Sequence, residues 1–227
     1  MMILFDLDDT LYSERQYIYQ GFKGVARYLH KKYGLDQRES YYRMIYIFSS
    51  GSKLVFDDFL RSAEINGNIT DLVDVYRRAP RSLAAYPDVR RALEILKNFG
   101  HKLLLITNGR AEVQKQKVEH LELAKYFDEL FILDEYGEEY WKPSTLIFRV
   151  IKQKYGEGLI NYAFVGNSEE DFQFSRSLGI KFIYVERRNQ IRKLQLEQTP
   201  DKTNIYTIRT LYDLVKMICM KTDLSSC

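Results

Sequence analysis

The chain has few cysteines and few histidines. Its 227 residues include two cysteines, Cys219 and Cys227, and three histidines, His30, His101 and His120. Two cysteines are too few for a disulfide framework, and their spacing to the histidines does not match that of a zinc site. We therefore expect neither a disulfide scaffold nor a zinc centre, and the low cysteine content favours a cytoplasmic protein in a reducing compartment.

The sequence also lacks long hydrophobic runs and an excess of charge of one sign. Asp6 interrupts the N-terminal apolar run, and no other stretch approaches the length of a membrane-spanning helix, so we expect no signal peptide and no membrane anchor. The 34 basic and 31 acidic residues give a net charge of +3, and the basic residues are spread along the chain. This pattern predicts neither nucleic acid nor a membrane surface as a partner, but it is compatible with a small anionic substrate.

Hydrophobic residues are nonetheless plentiful. They make up 45% of the chain, and aromatic residues make up 14%. A chain of this length and composition can bury one or two compact cores, and it does not have the low hydrophobicity of a disordered protein. We therefore expect a folded protein of the size of an enzyme.

The most informative stretch runs from Ile3 to Leu11, where an apolar run typical of a buried strand leads directly into a group of acids. Asp6 and Asp8 alternate at the end of that run, and in open α/β sheets the carboxyl ends of the strands form the ligand-binding edge. Neighbouring like charges make each other costly to ionise, so a bound cation or a shared proton is the expected compensation. The alternative is an acidic turn with Thr10 as a local cap.

A second apolar run stops at Thr107, and the turn pair Asn108 and Gly109 separates it from a helical pattern that starts near Ala111. A hydroxyl group and free backbone amides in such a turn can hydrogen-bond a phosphoryl oxygen. The same pattern is also ordinary punctuation between a strand and a helix. The segment is therefore a candidate anion site that needs support from the rest of the chain.

Two further segments carry polar residues after apolar ones. Lys142 precedes Pro143, a residue that suits the first turn of a helix predicted over 144–155. A third apolar run ends at Gly166 and is followed by Asn167 and then by acids up to Asp171, which open the next predicted helix. A lone lysine is usually a solvated charge, and acids in a first helical turn suit the helix dipole, so both segments also have purely structural interpretations.

The pattern of elements predicts an α/β fold. After Leu11 the periodicity is helical, with a stop at Gly34 and further helices predicted over 39–48, 56–63 and 70–78. Downstream, strands and helices alternate, with helices predicted over 89–98, 111–121, 144–155, 169–178 and 211–218 and strands at 103, 130–133, 164, 181–185 and 205–208. Such alternation predicts a Rossmann-like parallel sheet flanked by helices, with an inserted all-helical domain.

The strand with its DxDDT continuation, followed in order by the other three segments, resembles the haloacid dehalogenase-like (HAD) hydrolase superfamily, in its phosphatase branch. The resemblance extends from Met2 to the last predicted helix. In that superfamily the so-called C1 cap is a helical bundle inserted between the first and second motifs. The resemblance therefore implies an α/β core domain at 1–12 and 86–227 and a helical cap domain at 13–85.

The resemblance also implies an activity, namely Mg²⁺-dependent hydrolysis of a small phosphorylated metabolite such as a sugar phosphate or a nucleotide. In that scheme Asp6 attacks phosphorus and becomes an aspartyl phosphate. Asp8 acts as acid and base, which requires it to be neutral in the first step and charged in the second. The groups expected to bind the phosphoryl oxygens are Thr107, Asn108, Gly109 and Lys142.

The implied Mg²⁺ site consists of Asp6, the backbone carbonyl of Asp8 and Asp171. Asn167 stands where the family usually has an acid, and it offers a carbonyl oxygen but no negative charge. We therefore expect weakened metal binding, with Asp171 or Glu170 supplying the missing carboxylate directly or through water. Direct ligation by Asp171 is the preferred expectation.

Substrate specificity is expected from the cap, because closure excludes water and brings side chains to the leaving group. Arg15 and Tyr19 are the candidate substrate contacts, with Tyr17 and Lys53 as further candidates. Tyrosines at helical spacing also pack inside helical bundles with their hydroxyl groups turned outward, so each contact has a structural alternative.

Three other functions remain open on sequence grounds. A haloacid dehalogenase shares the fold and the aspartate nucleophile and needs no metal, although the presence of Asp8 argues against it. A phosphomutase would return the phosphoryl group to its substrate, and no feature of the sequence separates this outcome from hydrolysis. A non-catalytic binding module is suggested by Asn167 and opposed by the retained set of polar residues. The sequence does not predict an oligomeric state.

Overall fold

The computed structural model describes residues 1–156, 161–188, 190–191, 194 and 204–219. These residues form a parallel sheet of six strands in the order β3-β2-β1-β4-β5-β6. In chain order the strands β1 to β6 are Met2–Phe5, Lys102–Thr107, Glu129–Ile132, Tyr162–Gly166, Lys181–Val185 and Ile205–Ile208. The predicted α/β class with a parallel sheet is confirmed.

Helices follow the order expected from the sequence. In chain order α1 to α9 are Glu14–Tyr33, Gln37–Ser49, Val55–Ser62, Ile69–Arg78, Val89–Asn98, Ala111–His120, Leu146–Tyr155, Glu169–Leu178 and Leu211–Cys219. Within the described part of the chain, no helix is long and apolar enough to cross a membrane. Cys219 is buried and forms no disulfide with any described residue, and Cys227 lies outside the described residues.

The first strand lies inside the sheet, between β2 and β4. The residue Phe5 is in register with Leu105 on one side and with Val165 on the other. The strand order changes direction along the chain at β1, because β2 and β3 extend to one side and β4, β5 and β6 to the other. In doubly wound sheets the crevice at such a reversal is the usual ligand site, and it lies at the carboxyl ends of the strands. The register therefore brings the residues that follow β1, β2 and β4 to this edge.

The chain separates into two compact units, Met1–Glu14 with Leu83–Cys227, and Arg15–Ser82. The second unit is helical, and buried residues of α1, α2 and α3 such as Phe22, Met44 and Phe59 form its core. The first unit contains the sheet, whose strand β1 is buried along its whole length. The domain boundaries at 12 and 86 that the resemblance implies stay a prediction.

Buried polar contacts join the segments around the sheet edge of the first unit. Arg187, after β5, donates from Nη1 to both carboxylate oxygens of Asp88 at 2.9 Å, and it also donates to the carbonyl of Thr10 at 3.2 Å. Asp88 accepts a further hydrogen bond from the backbone amide of Leu211 at 2.6 Å. Arg187 lies over the ring of Tyr86, 4.3 Å from its centroid. One buried ion pair thus connects the loop after β1 with the starts of α5 and α9.

Removing one partner of this ion pair is expected to destabilise the protein strongly. Arg187→Met leaves the Asp88 carboxylate buried without its cation, which costs about 3–5 kcal/mol in comparable cases. The matched control is Arg188→Met, because Arg188 is exposed and neighbours Arg187 in sequence. Urea unfolding should show the large loss for Arg187→Met and a change within about 0.5 kcal/mol for the control. Equal effects of the two substitutions would contradict a structural role for the pair.

Candidate active site

A cavity of about 380 Å³ opens where the loops after β1, β2 and β4 meet. Its wall contains predicted site residues from all four motif segments, namely Asp6, Asp8, Thr107, Asn108, Gly109, Lys142 and Asn167. The structure therefore brings together side chains that are up to 161 positions apart in sequence. Acids are numerous in the same wall, which also includes Asp9, Glu14 and Glu170.

Lys142 lies between two carboxylates. Its Nζ donates to Oδ1 of Asp6 at 2.6 Å and to Oδ1 of Asp171 at 2.6 Å, and a third hydrogen bond goes to the carbonyl of Ile106 at 3.1 Å. All three donors of the ammonium group are thereby used in a buried setting. Burial alone would lower the pKa of Lys142, but the charges of Asp171 and Asp6 raise it above its usual value. The lysine is therefore a fixed positive charge beside Asp6.

Asp6 is a buried carboxylate with two other aspartates nearby. Burial, first, and then the charges of Asp171 and Asp8 raise the pKa of Asp6 from 3.8 to about 8, although Lys142 acts in the opposite direction. Because Lys142 is shared with Asp171, it neutralises only part of the charge around Asp6. The geometry thus shows a carboxylate whose ionisation calls for a further cation.

Asp171 is fully buried and is not part of the cavity wall. Its Oδ1 accepts from Lys142, and its Oδ2 accepts from the backbone amides of Asn167 and Ser168 at 3.1 Å each. Ser168 in turn caps α8, so Asp171 belongs to a capping box at the start of that helix. Oδ2 thus accepts two hydrogen bonds and Oδ1 accepts one, and direct ligation of the metal by Asp171 stays a prediction. Its role in this arrangement is to hold Lys142.

Glycine at position 166 is required by this arrangement. A Cβ atom built on Gly166 would lie 2.5 Å from Oδ2 of Asp171, which is too close for any side chain. The absence of a side chain lets the carboxylate of Asp171 approach the end of β4. The glycine that ends this strand therefore serves the Lys142 site and is not only a strand terminator.

Asn108 holds the backbone of Lys142. Its side-chain amide donates to the carbonyl of Lys142 at 2.9 Å, and its Oδ1 accepts from the amide of Lys142 at 2.8 Å. The neighbouring Gly109 has φ +112, a conformation that favours glycine. The segment predicted to bind the phosphoryl group, Asn108 and Gly109, therefore lies at the cavity wall. The side chain of Asn108 positions Lys142.

Asp8 is surrounded by hydrogen-bond donors. Lys117 donates to its two carboxylate oxygens at 2.7 and 2.9 Å, Gln114 donates to Oδ2 at 2.9 Å, and the hydroxyl of Tyr12 donates to Oδ1. Burial alone would raise the pKa of Asp8, but the charge and hydrogen bonds of Lys117, together with Tyr12 and Gln114, lower it below 3.8. This argues against a neutral Asp8 in the protein at rest, which the acid role in a first step requires.

Gln114 and Lys117 were not among the predicted site residues. Both lie on α6 and are buried, with 1% and 4% of their surfaces exposed. Gln114 also donates to the hydroxyl of Thr107. A sequence signal existed, because two polar residues three positions apart share one face of a helix that follows a motif strand. That signal does not distinguish a buried face from a solvated one.

Thr10 bonds a distant residue, whereas Asp9 bonds one residue nearby in sequence and one far away. The hydroxyl of Thr10 donates to Oδ1 of Asn167 at 3.0 Å. Asp9 has a left-handed backbone with φ 55, and its carboxylate accepts from the amides of Glu14 at 2.9 Å and Ile191 at 2.6 Å. Residues 9–11 do form a turn, as the alternative interpretation has it, but the Thr10 hydroxyl bonds Asn167 and does not act as a local cap.

The candidate substrate contacts of the cap lie in the Arg15–Ser82 unit. Arg15 donates to the hydroxyl of Tyr19 at 2.7 Å, so these two residues form a pair one helical turn apart. The ring of Tyr17 is buried, and the guanidinium of Arg81 lies over it at 3.6 Å from the centroid, which makes Tyr17 part of the packing of that unit. Lys53 is exposed. Contact of Arg15 and Tyr19 with a substrate stays a prediction.

The oxygen atoms at the cavity wall are of the type that a hard divalent ion prefers as ligands. No group of three or more His, Cys, Asp or Glu side chains arranged around a metal position is present among the described residues. A metal here would rely on the carboxylate of Asp6, the backbone carbonyl of Asp8 and the amide oxygen of Asn167, with Glu170 also in the wall. These are all oxygen donors, and Mg²⁺ usually takes few protein carboxylates and keeps several waters. The excess negative charge at Asp6 favours the same ion.

Comparisons with known proteins show what the chain is similar to. A model of the haloacid dehalogenase-like hydrolase family matches residues 3–185. A glyceraldehyde 3-phosphate phosphatase of Methanocaldococcus jannaschii is 24% identical over 225 residues, which cover 95% of this chain and 96% of that protein. An (S)-2-haloacid dehalogenase of a Pseudomonas species is 26% identical over 152 residues, with coverages of 67% and 62%. The crystal structure of a HAD phosphatase from Thermococcus onnurineus aligns with a TM-score of 0.61 and 25% identity, covering 96% of this chain and 97% of its own.

Asp6→Asn is expected to stabilise the metal-free protein as the pH rises. The pKa of Asp6 is about 8 in the folded protein against 3.8 in the unfolded chain, so the folded state binds more protons between these values and loses stability as the pH increases through them. Asparagine does not titrate, so the variant should lack this loss. Thermal unfolding midpoints should diverge in favour of the variant towards pH 8, by about 2–4 °C for each kcal/mol. If the unfolding midpoints of the parent and the variant change with pH in parallel, the negative charge of Asp6 is already compensated by its neighbours.

Asn167→Asp is expected to tighten Mg²⁺ binding. The added carboxylate supplies a negatively charged oxygen at the cavity wall, and charged ligands strengthen binding of hard cations on the order of tenfold. Asn167→Ala is the matched control, since it removes the amide oxygen and should weaken binding. Titration calorimetry with MgCl₂ measures both changes. An unchanged dissociation constant in both variants would mean that position 167 does not contact the metal.

Proposed function

The chain belongs to the haloacid dehalogenase-like hydrolases, and from that premise we propose that it is a Mg²⁺-dependent phosphatase that hydrolyses a small phosphomonoester through an aspartyl phosphate on Asp6. The observation that carries the proposal is the position of Asp6 at the cavity wall, held by Lys142 at 2.6 Å beside the hydroxyl of Thr107. A nucleophile, a fixed cation and hydrogen-bond donors thus meet at one sheet edge.

The bound phosphoryl group would be held by the residues around the cavity. Lys142 supplies positive charge, Thr107 supplies a hydroxyl, and the turn at Asn108 and Gly109 supplies backbone amides. Asp6, the carbonyl of Asp8 and Asn167 would hold Mg²⁺. When bound, this ion offsets the repulsion between the Asp6 carboxylate and the phosphate dianion.

Hydrolysis takes place in two displacements. In the first, a carboxylate oxygen of Asp6 forms a bond to phosphorus while the bond to the leaving oxygen breaks, and Asp8 donates a proton to that oxygen. In the second, Asp8 takes a proton from water, the water oxygen bonds to phosphorus, and Asp6 is released. The ionised Asp8 of the resting protein suits the second displacement directly. For the first, Asp8 has to acquire a proton and give up part of its bonding to Lys117.

The leaving group is proposed to be a small polar alcohol. A sugar phosphate or a nucleotide fits this proposal, and the glyceraldehyde 3-phosphate phosphatase that resembles nearly the whole chain makes a triose phosphate the first compound to test. Arg15 and Tyr19 of the helical unit are the proposed contacts to the leaving group. Cytoplasmic location and the absence of nucleic-acid and membrane partners remain parts of the same proposal.

A haloacid dehalogenase is the second candidate, because one such enzyme is among the similar proteins. It would use Asp6 to displace halide from carbon and would need no metal. The Asp8 carboxylate, held in the cavity wall by Lys117 and Gln114, is the observation against it. A phosphomutase shares every residue of the proposed site, so only the fate of the phosphoryl group separates it from a phosphatase.

The proposal predicts Mg²⁺-dependent release of phosphate from 4-nitrophenyl phosphate that is lost in Asp6→Asn. The substitution keeps the shape of the side chain and removes the nucleophile, so a loss of about 10³-fold or more is expected. A matched control is Asp57→Asn in α3, which lies in the other compact unit. Phosphate release measured with and without EDTA gives the metal dependence.

Three results would contradict the proposal in different ways. Chloride release from 2-chloropropionate that survives EDTA would favour the dehalogenase. Transfer of the phosphoryl group to a second position of a sugar phosphate, without phosphate release, would favour the mutase. No turnover of any phosphomonoester with any divalent ion would favour a binding module.

A further inference from the structure

The helix α6 buries an unusual pair of residues. Of its ten residues, the three that are buried are Gln114, Lys117 and Val118, so two of the three carry polar groups. Burying a lysine is costly unless its charge is paired, and a core-facing helix normally turns apolar residues inward. Lys115 on the same helix shows the ordinary alternative, since it is exposed and pairs with Glu135. The buried polar pair therefore calls for a reason other than packing.

Both buried side chains end on Asp8. The ammonium of Lys117 contacts Oδ1 at 2.7 Å and Oδ2 at 2.9 Å, and the amide of Gln114 contacts Oδ2 at 2.9 Å. Lys117 also lies 3.9 Å from a carboxylate oxygen of Glu14. The side chain of Lys117 is only 5% exposed, against 21% for Asp8, so the lysine supports the carboxylate from inside the protein. We propose that Gln114 and Lys117 form a clamp that positions Asp8 for proton transfer to the leaving group, an inference that rests on the phosphatase function proposed above.

Gln114 gives the clamp a second connection, to the residue proposed to bind phosphate. Its amide nitrogen donates both to Asp8 and to the hydroxyl of Thr107. A carboxylate only accepts hydrogen bonds, which fixes the amide nitrogen on the side of Asp8. The oxygen of Thr107 therefore accepts from Gln114, and its hydrogen points elsewhere, to the carbonyl of Asn108 at a long 3.3 Å. That weak bond leaves the hydroxyl hydrogen ready to turn towards a phosphoryl oxygen.

The clamp has a kinetic consequence that a purely structural role does not have. An alkoxide is a poor leaving group and needs a proton from Asp8, whereas 4-nitrophenolate leaves without one. The ratio kcat/KM covers the steps up to formation of the aspartyl phosphate, so it is independent of the later attack of water. Loss of the positioning should therefore lower kcat/KM for an alkyl phosphate more than for an aryl phosphate. Loss of folded protein would lower both equally.

The test compares kcat/KM for glycerol 3-phosphate and 4-nitrophenyl phosphate, with Mg²⁺, in the parent enzyme and its variants. Lys117→Met is expected to lower the value for the alkyl phosphate by about 10²-fold, the scale of general acid catalysis, and that for the aryl phosphate less than about threefold. Lys117→Arg keeps the positive charge and is expected to recover part of the loss. Lys115→Met, at the exposed neighbouring position, is the matched control and should change neither value.

Gln114→Met keeps the test decisive if Lys117→Met does not fold. It retains the length of the side chain, removes no charge, and is expected to show the same preference for the aryl phosphate at about tenfold. Equal losses on both substrates in a folded variant, or no recovery in Lys117→Arg, would overturn the clamp while leaving the phosphatase intact. A parent enzyme inactive on every phosphomonoester would instead overturn the proposed function and the clamp together.

Discussion

The site depends on one ammonium group shared by two carboxylates. Lys142 reaches Asp6 and Asp171 at 2.6 Å each, and two neighbouring residues keep it in place. Asn108 holds its backbone from the end of β2, and the bare backbone of Gly166 leaves room for Asp171. Burial makes the arrangement strong and also costly, because a buried charge without its partner destabilises the fold.

Two aspartates two positions apart acquire opposite properties from their surroundings. Asp6 shares its lysine with Asp171, and its pKa rises to about 8. Asp8 has Lys117 in direct contact through both oxygens, with further hydrogen bonds from Gln114 and Tyr12, and its pKa falls below 3.8. These directions are opposite to what an ionised Asp6 nucleophile and a proton-donating Asp8 need, so the proposed chemistry requires a further cation beside Asp6 and a proton on Asp8.

The sequence alone predicted the bounds of those helices and strands whose signals are local. The helix at 89–98 and the strand at 181–185 have the bounds that their apolar periodicity and flanking breaks predict. The helix after Pro143 begins at Leu146 and not at 144, because the amide of Ser144 bonds the carbonyl of Trp141 in a turn. The capping role of Asp171 was also readable in the spacing of Ser168 and Asp171.

Contacts between distant segments left no such local signal. Lys117 is 109 positions from Asp8, and its neighbour Lys115 has the same chemistry, so only the three-dimensional fold distinguishes the buried lysine from the exposed one. The resemblance located Asp6, Asp8, Thr107 and Lys142 because their spacing follows the order of the strands. It did not reveal what those side chains bond to, because hydrogen-bond partners come from tertiary packing and the motif fixes only the strand ends.

The charge balance explains why an asparagine is compatible with this site. When Asp6, Asp8 and Asp171 are all ionised, they exceed the two lysines that contact them, Lys142 and Lys117, by one negative charge. The cavity wall contains further acids. A bound divalent ion would reduce this negative charge where a phosphate dianion has to approach. A fourth carboxylate, at position 167, would add to the repulsion between the acids when no metal is bound. The amide, held by Thr10, provides an oxygen without that repulsion.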